Sequence, residues 1–351
     1  MSNHSQDDSP GSYPEGDAPT QPQSPFHILS LSGGGFRGLY TARILADLEQ
    51  HVGEPLARRF DLIAGTSIGG ILALALALEV QADRMVGLFE KHGEEIFRRR
   101  FALLGMLRSS YTQEKLRQLL EADDLFGQRP LGVARHRVIV PAINYSSGRP
   151  VVFKTPHHPD FFRDAQHRVV DIALATSAAP GYFPRHLFGN NQYVDGGLFA
   201  NAPGLLAVHE ALCFLGQSRR SLRVVAIGTM SAKFTVDPRG NREGGMLDWG
   251  GWNPSMTAKR LFGLAISAQE SLTDFQLRHR LPAGHYFHID EDLTDERARA
   301  VALDKANAAA REVLLGAAAE SSKKWLGNAN FRTILQHRAL EPGFIAGTAP
   351  R

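Results

Sequence analysis

The sequence predicts an α/β fold built on a parallel central sheet, and three observations predict it. The first 80 residues run strand, glycine loop, helix, strand, tight turn, helix, an order that implies parallel strands with right-handed crossovers. Short strands and helical stretches keep alternating beyond them. The composition, 43% hydrophobic and 21% charged over 351 residues, supplies one large core without staples.

The elements follow in order. Residues 26–31 (Phe-His-Ile-Leu-Ser-Leu) are a β-prone run that ends in a glycine cluster. From Gly38 to about Val52 the apolar residues Leu39, Ala42, Ile44, Leu45 and Leu48 recur at helical spacing, and Gly53 and Pro55 close the helix. Residues 60–64 read as a second strand. Residues 68–78 are the longest apolar run, too short to span a bilayer, and read as a buried helix. An amphipathic helix is expected at 82–100, ending in Arg98-Arg99-Arg100. The stretch from Phe97 to Leu107 is apolar with basic flanks, suited either to an anionic membrane or to the core. Further helices are expected at 112–122, 168–177, 203–216, 256–279 and 294–326. Strands are expected at 137–144, 150–154, 192–194, 222–228 and 286–289. Residues 235–255 read as a long loop.

Residues 1–25 are rich in Ser, Pro, Gly and Gln, carry Asp7, Asp8, Glu15 and Asp17, and contain no Lys or Arg. They cannot bury enough apolar surface to offset ordering and are expected to be a disordered acidic tail, with no secretory h-region. Residues 26–335 are expected to form one domain with C-terminal helices, and 336–351 a flexible tail. Without the N-terminal tail, 32 acids face 39 bases, a net charge of +7 that suits an anionic surface or ligand. Nothing in the charge pattern points to DNA or RNA. The single cysteine, Cys213, excludes an internal disulfide and a cysteine-based zinc site, fits a reducing, cytoplasmic compartment, and reads as core filler of its helix. No metal site is expected.

Three motifs carry chemistry. Gly65-Thr66-Ser67-Ile68-Gly69 falls between a strand and a helix. A sharp turn there exposes a serine hydroxyl, small flanking residues let the chains approach, and the new helix aims its free N–H groups at the site. A serine that merely caps a buried helix is the bland alternative. Gly33-Gly34-Gly35-Phe36-Arg37-Gly38 follows the first strand, and its unhindered amides can bind a developing oxyanion, with Arg37 orienting the loop or holding an anionic headgroup. The same residues match the Gly-x-Gly-x-x-Gly spacing of dinucleotide sites. That reading requires an acidic residue near the end of the second strand, where Ala64-Gly65-Thr66-Ser67 stands instead. Asp195-Gly196-Gly197 ends another strand, a turn by default and also a place where open α/β sheets put functional groups. A carboxylate there can take the serine proton directly. His209, His279, His285 and His288 follow Asp195, so a Ser–His–Asp triad stays open by counting.

Together these motifs resemble the patatin-like phospholipase family. The resembling residues are Ser30 to Gly38, Gly65 to Gly70, Asp195-Gly196-Gly197, and a fourth block, Ala175-Thr176-Ser177-Ala178-Ala179-Pro180 before Tyr182-Phe183-Pro184. The resemblance implies a three-layer α/β/α sandwich and a Ser67–Asp195 catalytic dyad. It implies an oxyanion hole at Gly33, Gly34, Gly35, Arg37 and Gly38, with Gly65, Gly69, Gly196 and Gly197 supporting the turns. The reaction implied is calcium-independent hydrolysis of ester-linked fatty acyl chains of membrane phospholipids through an acyl-serine, without a cofactor. Ser32 stands where many members have Asp, and Ala202 where many have Asn. The pattern Trp249, Trp252, Asn253-Pro254-Ser255 and Gln269-Glu270-Ser271 is similar to bacterial anti-phage effectors of this family, phospholipases switched on by a cyclic dinucleotide. A cyclic dinucleotide activator, anion contacts at Arg98, Arg99, Arg100 and Arg108, a homo-oligomer on activation, and action at the inner face of the membrane are the expectations that follow. A non-catalytic nucleotide- or membrane-sensing module on the same fold is the alternative.

Overall fold

The computed structural model describes residues 24–98, 109–230, 254–291 and 300–344. Among them, eight strands form one sheet: β1 Phe26–Leu31, β2 Leu62–Gly65, β3 Val138–Asn144, β4 Arg149–Lys154, β5 His186–Phe188, β6 Asn191–Asp195, β7 Leu222–Ile227 and β8 Tyr286–Ile289. The helices are α1 Gly38–Val52, α2 Ile68–Ala77, α3 Ala82–Ile96, α4 Glu114–Leu120, α5 Val169–Thr176, α6 Gly197–Ala200, α7 Gly204–Cys213, α8 Pro254–Arg280, α9 Ala308–Gly327 and α10 Ala329–Gln336.

The strand order is β5-β6-β3-β2-β1-β7-β8, with β4 also on β3. The run β3-β2-β1-β7-β8 is parallel, and the pairings that involve β4, β5 or β6 are antiparallel. β1 is buried along its whole length, as a strand covered on both faces must be. Its alternate residues serve two cores. Leu29 and Leu31 join Ile63, Val140 and Val225 beneath α1, α2, α3, α5 and α9. Ile28 joins Leu62, Ile139 and Val224 beneath α7 and Leu277 of α8. The result is the three-layer α/β/α sandwich, with an antiparallel margin on an otherwise parallel sheet.

β3 positions the site by dividing one of its sides. Val138 and Ile139 pair with Ile63 and Ala64 of β2, whereas Ala142, Ile143 and Asn144 pair with Asp195, Val194 and Tyr193 of β6. β2 and β6 run toward each other and stop on either side of Pro141. Proline lacks an amide hydrogen, and neither ladder spans its position to need one. The two C-terminal strand ends therefore meet head-on.

Several expectations are corrected. Strand β5 was not expected, although Gly189-Asn190, both at positive φ (54° and 62°), is a two-residue hairpin turn of the kind glycine and asparagine signal. The last long helix starts at Ala308, where the Asn307 side chain accepts from Ala310 N; the expected 294–326 helix is interrupted at 301–307, which are not helical, and residues 292–299 lie outside the described residues. The α10 helix, capped by Asn328 on Phe331 N, was not expected either. Cys213 is exposed. The buried apolar stripe of α7 is Gly204, Ala207, Val208 and Ala211, and position 213 lies about 200° around the helix from 211. Beyond α10 the chain stays bonded to the domain, through His337 Nε2 to Asp61 Oδ2 at 2.8 Å and Ala339 N to Arg58 O at 2.9 Å. The 1–23, 99–108 and 231–253 segments, with Arg99, Arg100, Arg108, Trp249 and Trp252, lie outside the described residues.

Candidate active site

Ser67 sits between β2 and α2 with φ 55° and ψ −126°, a strained backbone for a residue with a side chain, costing on the order of 1–3 kcal/mol. Something must hold it there. Its N–H donates to Thr176 Oγ1 at 2.9 Å, and the Thr176 hydroxyl donates in turn to Pro141 O at 2.7 Å. Thr66 Oγ1 donates to Ala200 O at 2.6 Å. The flanking glycines are required by close approach. A Cβ on Gly65 would collide with the Gly69 carbonyl, and one on Gly69 with the carbonyls of Leu31 and Ser32. The Ser67 side chain caps nothing and is partly exposed.

Asp195 arrives from the opposite direction at the end of β6 and is fully buried. Its amide donates to Ala178 O at 3.1 Å, and Oδ1 accepts from Gly197 N at 2.7 Å. Oδ2 is buried without a hydrogen bond of regular geometry, and the Ser67 side chain adjoins the carboxyl. Burial drives its pKa up to about 7, and Ser67 and the Gly197 amide offset that only in part. Gly196 lies against Pro141, whose carbonyl any side chain there would strike. The block from Ala175 to Pro180 lies between the two: Thr176 holds the Ser67 amide, and Ala178 holds the Asp195 amide.

The glycine loop lies beside Ser67. Gly33 N donates to Asn201 O at 3.0 Å, Phe36 N to Leu303 O at 2.8 Å and Arg37 N to Gly34 O at 3.1 Å. The Gly38 amide closes the short helical turn onto Gly35 O and Phe36 O. The amides of Gly34 and Gly35 have no partner among the described residues. Gly35 takes φ +57°, and a side chain on it would strike Leu303 O. Of the expected oxyanion residues Gly33, Gly34, Gly35, Arg37 and Gly38, only Gly34 and Gly35 keep an amide without a partner among the described residues. Arg37 turns away from the cavity. It is buried, its guanidinium reaches Gly34 O and Met230 O, and it faces Glu270 and Asp290.

Ser67, Gly34 and Gly35 line a narrow cleft. Its walls are apolar: Ile68, Ile71, Phe97, Tyr182, Phe262 and Leu303 among others. A serine in a strained turn beside a buried carboxylate, at the wall of a hydrocarbon-like cleft, is the arrangement that acyl-ester chemistry needs. The family model for patatin-like phospholipases matches residues 29–208, just over half the chain, and spans every one of these motifs. The chain belongs to the patatin-like phospholipase family. It is a lipid acyl hydrolase. The chain is similar to a cGAMP-activated phospholipase of Pseudomonas aeruginosa, 44% identical over 92% of this chain and 95% of that protein. A cGAMP-activated phospholipase of Escherichia coli is 32% identical over 92% of this chain and 94% of its own length. A cUMP-AMP-activated phospholipase of Escherichia coli is 28% identical over 57% and 63%.

The four histidines that left a triad open do not line this cleft. His209 is near Cys213, His279 bonds Phe275 O, His285 meets Arg223, and His288 pairs with Asp274. Phe97 turns inward, packing edge-on against Phe36 and Tyr111, while Arg98 is exposed. Sequence reasoning missed the roles of Thr229, whose hydroxyl donates to Gly33 O at 3.0 Å, and of Asn201, whose Nδ2 donates to Gly33 O at 3.1 Å. The position of Thr229 just past the C-terminal end of β7 was the available signal.

Proposed function

We propose that this patatin-like enzyme cleaves fatty acyl esters of membrane phospholipids through a Ser67–Asp195 dyad, and that a cyclic dinucleotide switches it on. The observation that carries the dyad is the Asp195 carboxyl, held fully buried and short of partners against the Ser67 side chain. A base held there takes the Ser67 proton as Oγ attacks the ester carbonyl. The oxyanion that forms meets the N–H groups of Gly34 and Gly35. Collapse of the tetrahedral species breaks the ester C–O bond, and the proton passes from Asp195 to the departing lysophospholipid alcohol. Water, deprotonated by Asp195, then attacks the acyl-serine and releases the fatty acid. No metal or cofactor takes part in these steps.

The activator reading rests on the relatives, whose names give cGAMP or cUMP-AMP as activators. The net positive charge of the chain outside its acidic N-terminus suits both an anionic activator and an anionic lipid surface. Among the described residues no helix is long and apolar enough to cross a membrane. Action at the inner face of the membrane is part of the same proposal. Assembly into a homo-oligomer on activation belongs to the same proposal.

The test is fatty-acid release from phospholipid vesicles by the pure protein, with and without a panel of cyclic dinucleotides. Release should depend on one of them and be lost in Ser67→Ala and Asp195→Asn. Undiminished release by both variants would sink the dyad. No response to any nucleotide would sink the activator. A fluorophosphonate probe should label the parent and not Ser67→Ala.

A further inference from the structure

We infer that Glu270, on helix α8 and outside the region the family model matches, is a positioning residue that aims an oxyanion donor through Asn201 and the Gly33 carbonyl. The inference rests on the reading of Gly34 N–H as such a donor.

The geometry is a chain of three links. Glu270 Oε1 accepts from Asn201 Nδ2 at 2.6 Å. The same Nδ2 donates to Gly33 O at 3.1 Å. Gly33 O belongs to the same peptide unit as Gly34 N–H. In a planar trans peptide the carbonyl and the N–H point in opposite directions, so holding one from behind aims the other forward. Thr229 Oγ1 adds a second donor to the same carbonyl, and Asn201 O receives Gly33 N–H at 3.0 Å. Gly34 N–H is left facing the Ser67 cleft.

Three consecutive glycines cannot hold this orientation themselves. They carry no side chain to wedge the loop, and each has a wide range of φ and ψ. The orientation must come from outside. Asn201 supplies it only with the amide, not the oxygen, turned to Gly33 O. A carboxylate accepts and cannot donate, so Glu270 fixes which way the Asn201 amide faces. Its neighbour Gln269 grips the next residue on both sides. Ala202 N donates to Gln269 Oε1 at 2.8 Å, and Gln269 Nε2 donates to Ala202 O at 3.3 Å. The same face of α8 carries Phe262 and Ile266 into the cleft wall and Leu277 into the second core. One helix thus anchors in the core, walls the acyl cleft and sets the oxyanion loop.

The test compares Glu270→Ala, Glu270→Gln, Asn201→Ala and the double alanine variant with the parent and Ser67→Ala, on phospholipid vesicles under activating conditions. Removing an oxyanion donor outright costs about 10²–10³ in kcat, so misaiming one should cost roughly 10–100-fold. Glu270→Ala should lose about that in kcat with KM within about twofold. Glu270→Gln, which keeps an acceptor, should recover most of it. In the double variant the Glu270 substitution should add nothing to Asn201→Ala. Unchanged kcat in Glu270→Ala, a loss confined to KM, or full additivity in the double variant would each overturn the inference. If Glu270→Ala does not fold, Asn201→Ala carries the test by the same kcat-against-KM split. Full activity in Ser67→Ala would instead mark failure of the dyad reading beneath it.

Discussion

Asp195 and Glu210 are both buried carboxylates, and the fold treats them in opposite ways. Glu210, on α7, has both oxygens paired: Oε1 with His157 Nε2 at 3.0 Å and Oε2 with Lys154 Nζ at 2.6 Å. Burial would raise its pKa, but the His157 and Lys154 hydrogen bonds outweigh that and hold it below the usual range. The Thr155 hydroxyl lies 2.9 Å from His157 Nδ1, so hydroxyl, imidazole and carboxylate stand in the order of a hydrolytic triad. Yet Thr155 is fully buried, and its oxygen also accepts from Val138 N at 3.0 Å. Asp195 has one good hydrogen bond, a pKa raised to about 7, and a strained, partly exposed serine beside it. A fully satisfied polar cluster holds structure, whereas a carboxylate kept short of partners beside a strained serine is what the proposed dyad calls for. A triad-like order of residues is therefore a weaker sign of a site than the single under-satisfied group.

Isosteric neutralisation of each carboxylate is the hardest test of this contrast. Asp195→Asn should lower kcat for acyl release by about 10³-fold, whereas Glu210→Gln should stay within about threefold. Comparable losses in both would erase the distinction. Stability should divide the other way. Glu210→Gln leaves Lys154 without its buried counter-charge and should cost about 3 kcal/mol in denaturant unfolding at pH 7. A group whose folded pKa is lowered stabilises above its unfolded value and loses that as pH falls, so this penalty should hold down to about pH 4.5 and shrink only below it.

Next in size is the pH profile. A base must be ionised, so kcat/KM should climb about tenfold per pH unit below about 7 and level off above it, on the order of 100-fold between pH 5 and 7. A flat profile over that range would remove Asp195 as the group that titrates.

The contrast also explains what was legible in the sequence. The elbow was readable because its demands are local: Gly65, Ser67 and Gly69 must sit within five residues at a strand–helix junction. The position of Asp195 at a strand end was readable because a short strand followed by two glycines is a local signal too. Thr176, Thr229, Asn201 and Glu270 act across 109, 196, 168 and 69 positions, through residue types that are common anywhere in a chain. No spacing rule reaches them. The β5–β6 hairpin failed for a different reason. Its Gly189-Asn190 turn is a local signal, but a three-residue strand offers too few positions for alternation to show. Cys213 faces solvent because its angle around α7, and not its residue type, decides its exposure.

The smallest expected effect is the most diagnostic, because its sign is unusual for a buried active-site change. Asp195 has a folded pKa near 7 against about 3.8 when exposed, so between those values the folded chain holds a proton that the unfolded chain has released. Stability then falls as pH rises through that window, the reverse of Glu210. At pH 8 the parent carries a buried, partly unpaired anion that Asp195→Asn does not. The variant should be more stable there by on the order of 1–2 kcal/mol, seen as a rise of a few degrees in melting temperature, and no more stable at pH 4. Equal melting curves at pH 8 would mean that the Ser67 hydroxyl and the Gly197 amide already satisfy the anion. In that case the reactivity of the site would have to come from the strain at Ser67 rather than from the carboxylate.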